Sequence, residues 1–314
     1  MKRIINLVFF TSLMLMSNAQ QDPQFSQSMY NIMMYNPGYA GSRDAICATA
    51  LSRQQWRGFD GAPVSSVFTV NSPFRLFGAD HGGGLHILND DIGFETNLSI
   101  NLSYSYRMDA GDGKLGIGAG FGMISSSLEA EWFIPSGDSH TNASGDPSIP
   151  AGDETALTGD FSAGLFYYTD DYYIGLSSTH INQPAIDYTA TATPFLRRHY
   201  YLTAGYTISF NNPAFRALPT LLVQSDGAMT QFNLGGIIEY DAKLWGGLYH
   251  RFRSAVVVIA GLELFNGIKI GYSFDFSTTA MSSHNKGTHE FLLRYCFELD
   301  MDRSPRRYRS VRIL

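Results

Sequence analysis

Few residues in this chain have both the type and the spacing that chemistry needs. His81 and His86 stand near Asp90 and Asp91, a set of donors that a metal ion could use. Their spacing argues against a shared ion, because strand positions five apart face opposite sides of a sheet. Asp138, Asp146, Asp153 and Glu154 lie in a Gly-, Ser- and Pro-rich stretch. Calcium takes such oxygen donors, but the spacing is not that of an EF-hand loop, and a solvated connection is the plainer reading. His284 and His289 flank another surface loop. The chain contains neither a Gly-x-Ser-x-Gly elbow nor a His-Glu-x-x-His pair. The expectation is a non-enzymatic protein with no catalytic residue, metal ligand or cofactor.

Two cationic clusters suit binding better. Arg53, Trp56 and Arg57 follow one strand-like segment and are candidate partner contacts. Equally, they could form an aromatic belt with arginines that meet lipid phosphates. Near the C-terminus, Arg303, Arg306, Arg307, Arg309 and Arg312 are opposed only by Asp300 and Asp302. Such a tail could dock an acidic partner or an anionic surface, or could be a solvated end. The overall net charge of −6 gives no reason to expect a nucleic-acid partner.

Any such residues must be positioned by strands. Leu98, Ile100, Leu102, Tyr104 and Tyr106 alternate with Asn97, Ser99, Asn101, Ser103 and Ser105. A two-residue period puts the first set on one face and the second on the other. The pattern restarts around Phe161–Tyr167, Tyr200–Ile208, Phe232–Tyr240 and Ile268–Phe276. An apolar face opposite a small polar one suits strands with lipid outside and water or a plug inside. Charged residues are only 16% of the chain, yet mean hydropathy is −0.09, far from that of a helical membrane protein. The fold class expected is therefore all-β: a transmembrane outer-membrane β-barrel of about 14 antiparallel strands with a short N-terminal helix.

Strand centres fall near Thr49, Val67, His86, Asn101, Ala119, Ala163, Ile174, Gly205, Leu222, Gly235, Leu248, Val258, Ile270 and Leu293. Tight-turn sequences at 109–113, 169–171, 241–242 and 266–267 all follow even-numbered strands in this count. The long stretches 129–155, 181–197 and 278–286 all follow odd-numbered ones. In outer-membrane barrels short turns face the periplasm, so both termini are expected there.

Residues 1–19 read as a signal peptide, with Lys2 and Arg3 before an apolar run that ends in Ser17-Asn18-Ala19. Residues 20–41 form an N-terminal periplasmic or plug segment, 42–299 the barrel and 300–314 the basic tail. In the plug segment, Phe25, Met29, Ile32 and Met33 recur at helical spacing, between an N-cap-like Asp22-Pro23 and Asn36-Pro37-Gly38. Gly116, Gly118, Gly120 and Gly122 share one face of a strand, which marks either close approach of another backbone or coiling at a barrel corner. Cys47 and Cys296 lie in the first and last strands, where two buried free thiols are expected in preference to a bridge.

The N-terminal motif also carries a resemblance. Asp22-Pro23-Gln24-Phe25-Ser26-Gln27, Asn31 and Asn36-Pro37-Gly38-Tyr39-Ala40-Gly41 resemble the opening of the PorP/SprF family. The likeness continues through Arg53-Gln54-Gln55-Trp56, Gly61-Ala62-Pro63, Asn89–Gly93, Tyr104-Ser105-Tyr106, Gly271–Asp275 and Thr288–Tyr295. Gly38-Tyr39 stands where Pro-Ala or a similarly small residue is expected. The resemblance implies an outer-membrane barrel of the type IX secretion and gliding machinery of Bacteroidota. Its implied partners are type IX secretion components, outer-membrane lipid, and a secreted adhesin or enzyme with a type B C-terminal domain. The barrel would bind, export or anchor that protein at the cell surface. The alternative is a passive porin or substrate-specific channel.

Overall fold

The computed structural model describes residues 22–129, 152–188, 194–264 and 267–298. The signal-peptide segment, most of the 129–155 stretch and the basic tail with Arg306, Arg307 and Arg309 lie outside the described residues.

The alternation produces fourteen long strands: β1 Ala45–Gln54, β2 Val64–Leu76, β3 Ala79–Ile92, β4 Glu95–Ala110, β5 Gly113–Leu128, β6 Glu154–Tyr168 and β7 Tyr172–Thr179. They continue with β8 His199–Tyr206, β9 Phe215–Ser225, β10 Thr230–Tyr240, β11 Leu244–Arg251, β12 Ala255–Glu263, β13 Lys269–Ser277 and β14 Thr288–Glu298. Ile208–Ser209 resumes the β8 ladder beside Arg216 and Ala217 of β9. Each strand pairs antiparallel with its sequence neighbours, and β14 pairs with β1 from Ala45↔Glu298 to Gln54↔His289. The sheet therefore closes and leaves no edge, the condition a sheet must meet to cross lipid. Every strand centre expected from the alternation falls inside a strand. No helix among the described residues is long and apolar enough to cross a membrane.

The two faces separate as the period requires. Leu102, Leu248, Leu234, Phe161, Ile238 and Phe276 are among the large apolar side chains exposed on the outer face. Their sequence neighbours point inward, and the buried set there is rich in polar side chains such as Ser103, Ser105, Asn101, Thr203 and Asn233.

The long connections do gather at one end, after β1, β5, β7 and β13. Tight turns follow β4, β6 and β10, with positive φ at Gly111, Asp241 and Ala242. Short links also occur at the long-connection end, after β3, β9 and β11, so the sorting is of long connections only.

Two expectations need correction here. Cys47 and Cys296 form a disulfide. They are register partners across the β1–β14 seam, with Cα atoms 4.1 Å apart. Side chains come closest at directly opposed positions of this kind, which is what brings the two sulfurs together. Cys47→Ser is expected to lower unfolding stability by about 4 kcal/mol, since the bridge closes a very long loop in the unfolded chain. Denaturant titration with and without reductant checks this: wild type should fall to the variant's midpoint only when reduced.

The second correction concerns the N-terminal segment. It is not one amphipathic helix but three single 3-10 turns, Ser28–Tyr30, Ile32–Met34 and Pro37–Tyr39, linked by Asn31 and by Tyr35-Asn36. Asp22 caps no helix. Asn36 is the residue that caps, its Oδ1 accepting from the Gly38 N–H at 2.9 Å. A regular helix is about 10 Å wide with its side chains, whereas this stretched path fits a lumen crowded with inward side chains.

Candidate functional site

The N-terminal segment runs the length of the lumen. At one end Asp22 meets Thr179, His180 and Tyr201, which lie at the long-connection end of β7 and β8. At the other, the Gly41 carbonyl and the Asp44 carboxylate accept from Arg107 near the end of β4, and Ala45 begins β1. Asp22 and Glu298 thus lie at opposite ends of the barrel. The segment before β1 doubles back through the interior, and the two termini themselves lie outside the described residues.

The glycine face is what admits it. A Cβ on Gly118 would collide with the backbone of Pro37 and Gly38, one on Gly116 with the Gly38 carbonyl, and one on Gly82 with the Ala40 carbonyl. Gly120 and Gly122 instead make room for the side chains of Ser162 and Asn101. Of the two readings of this face, close backbone approach holds for Gly116 and Gly118.

Phe25, Ile32 and Met33 are buried and Met29 half-buried, all packed inside the barrel. Phe25 joins Tyr30, Met34, Tyr35, Leu51, Val67, Tyr201, Leu222, Trp245 and Leu292 in one apolar cluster. Ile32 and Met33 sit with Tyr39, Ala40 and Phe166 in a second.

Four buried charges fasten the segment. Arg53 on β1 reaches Asp275 of β13 at 2.8 Å and Glu290 of β14 at 3.3 Å, and Arg251 of β11 reaches Asp275 at 3.0 Å. Two guanidinium groups and two carboxylates balance. Glu290 accepts the backbone N–H groups of Ser26 and Gln27 at 2.7 and 2.8 Å. The Ser26 hydroxyl donates to Asp275 at 2.7 Å and accepts from Arg53 and Arg251. Charge-assisted bonds of this kind are the strong ones.

This placement corrects the reading of Arg53. It is 2% exposed and committed to interior acids, so it is not at the disposal of an external partner. Parity decides this: Arg53 shares the inward face of β1 with Cys47, Thr49 and Leu51. Trp56 and Arg57 lie in the connection after β1. The Trp56 N–H donates to Thr288 Oγ1, and Arg57 exchanges backbone hydrogen bonds with Lys286 and Gly287. Trp56 is half-buried and Arg57 exposed. These bonds join the β1–β2 connection to the β13–β14 connection, and the Arg57 side chain remains accessible there.

Beside the segment is a chamber of about 600 Å³. Met33, Met34 and Pro37 form its floor, while Ser99, Asn101, Ser103 and Ser162 line its wall. Trp56, Pro63, Ile92 and Leu196, all at or beyond strand ends on the long-connection side, ring its mouth. Asp22, His86, Asp90, Asp160, His180 and His199 also line it. His81, by contrast, stacks on Phe74 and bonds Tyr104 on the outer face, so His81 and His86 do lie on opposite sides.

Sequence reasoning missed Asp22, Asp160, His180, His199, Tyr201, Arg251, Asp275 and Glu290. For Arg251, Asp275 and Glu290 a signal existed: a charge on the inward parity of a membrane strand must find a partner in the lumen.

Among solved structures, the chain is similar to a Pseudomonas aeruginosa FadL homologue, at 11% identity and TM-score 0.45, covering 90% of this chain and 96% of that one. It is also similar to the translocator domain of autotransporter NalP from Neisseria meningitidis, at 12% identity and TM-score 0.42, covering 81% and 88%. Outer membrane phospholipase A from Escherichia coli matches at 9% identity and TM-score 0.34, covering 82% and 97%. The fold itself is given by the closed strand order. The chain matches no curated protein sequence. The signature of a family described as type IX secretion system membrane protein PorP/SprF matches residues 17–295. An outer-membrane strand pattern, a closed barrel and this near full-length match lead to one conclusion: the chain belongs to the PorP/SprF family of type IX secretion.

Proposed function

We propose that this barrel is a plugged, non-enzymatic docking protein that binds and holds a secreted protein with a type B C-terminal domain at the cell surface. The observation that carries the reading is the filled lumen. The barrel's own N-terminal segment occupies the path, fastened by four buried charges and by backbone contacts at Gly82, Gly116 and Gly118. A barrel filled in this way works from its rim. The rim with the long connections and the chamber mouth is the natural docking face, since loops on a rigid scaffold carry recognition. That face would point outward, with the basic tail reaching type IX components in the periplasm. The apolar outer face meets membrane lipid. The porin alternative is disfavoured by the same filled lumen.

Two measurements test this. Affinity purification of the tagged barrel from native outer membranes should recover type IX components and a large protein with a type B C-terminal domain; a barrel recovered alone would overturn the reading. Deleting residues 136–150 should reduce retention of that protein at the surface without changing barrel abundance. Unchanged retention would remove the long connection from the docking face.

A further inference from the structure

We propose that Asp22, His180 and His199 form a binding site for a divalent transition-metal ion, with zinc the best match, which ties the start of the lumenal segment to the barrel wall. One ligand atom from each residue lies within 4.8 Å of the other two. A tetrahedral zinc ion with bonds of about 2.0–2.1 Å sets its ligand atoms roughly 3.3 Å apart, so closure needs movements of about 1.5 Å or less. Two imidazoles and one carboxylate are a donor set that zinc accepts, and the adjoining chamber has room for a water as fourth ligand.

The surroundings of these residues support the assignment independently. His180 Nδ1 lies 3.0 Å from Asp160 Oδ1, which leaves Nε2 facing Asp22 Oδ1 at 2.9 Å. A carboxylate behind a histidine fixes its tautomer and raises its basicity toward a metal. The Tyr201 hydroxyl donates to Asp22 Oδ2 at 2.6 Å, so Oδ1 is the oxygen left for an ion. His199 is 2% exposed, yet its Nε2 has no hydrogen-bond partner among the described residues. Its Nδ1 meets the Arg197 carbonyl at 3.0 Å and stands 3.8 Å from Asp22 Oδ2. A nitrogen buried at this depth and left without a protein partner is open to an added ligand, a water or an ion.

The test uses the full mature barrel purified in detergent, stripped with a chelator and titrated with Zn²⁺, with Co²⁺ as a visible-absorption probe. One zinc per chain is expected, with a cobalt spectrum of four-coordinate type. His199→Ala or Asp22→Asn should weaken binding at least about 100-fold, and Asp160→Asn, which removes only the outer partner, roughly 10–100-fold. Heat-dependent gel mobility verifies that each variant is folded. A wild-type barrel that retains no zinc at micromolar concentration overturns the proposal, and so does a His199→Ala barrel of unchanged affinity. Should His199→Ala fail to fold, the wild-type titration and the Asp160→Asn variant decide.

Discussion

Replacing Arg53 by alanine should loosen the lumenal segment and lower unfolding stability by about 3–5 kcal/mol, the cost of leaving a buried charge without its partner. The variant keeps Arg251 against Asp275, but Glu290 is then a buried carboxylate with only the Ser26 and Gln27 N–H groups to balance it. Two readouts should move together: the denaturant midpoint, and cleavage of the N-terminal segment by a protease added to the folded barrel. Adding Glu290→Gln to Arg53→Ala restores neutrality, and the glutamine oxygen can still accept one of the two N–H groups. The double variant should therefore recover part of the loss. If Glu290→Gln makes Arg53→Ala worse, the packing of the arginine stem rather than its charge holds the segment.

The second large effect is steric. Gly118→Leu should prevent the segment from seating, because the added atoms would occupy the positions of the Pro37 and Gly38 backbone. The obstacle is the backbone of the segment itself, which no side-chain rotamer relieves, unlike Gly120, where the nearest neighbour is the hydroxyl of Ser162. Overpacking of this sort costs about 1–3 kcal/mol even where neighbours adjust. In planar bilayers the wild type should be electrically quiet and Gly118→Leu should conduct. Gly159→Ala is the control, since its nearest neighbour would be Phe121 at 3.9 Å and nothing need move. A quiet, fully folded Gly118→Leu barrel would mean that side chains, not the segment, obstruct the lumen.

The barrel was legible in the sequence because the dyad that separates Leu102 and Tyr104 from Ser103 and Ser105 is dictated locally, residue by residue. Strand centres and the end bearing the long connections follow from it. What escaped depends on contacts between distant segments. Proximity to Trp56 and Arg57 groups Arg53 with the candidate partner contacts, yet it sits on the inward parity of β1, facing Asp275 and Glu290. The Cys47–Cys296 bridge depends on the exact register of the closing pair, and alternation leaves register open by two residues in either direction. Phe25, Met29, Ile32 and Met33 recur at helical spacing and do pack inside the barrel, but on a path of 3-10 turns shaped by contacts with the wall. His180 and His199 carry no pattern at all, since their relation to Asp22 exists only once the chain has doubled back through the interior.

The fastening of the N-terminal segment has a consequence for assembly. The residues that grip Ser26 and Gln27 come from β1, β11, β13 and β14, the first strand and three of the last four. These are the strands that must find each other for the ring to shut. A segment made first, gripped by strands made last, acts as a former around which the wall is wrapped. Since its chain continues directly into β1, it need never be threaded into a finished cylinder. Seating of the segment and closure of the ring therefore draw on the same side chains, and the Cys47–Cys296 bond spans the same seam.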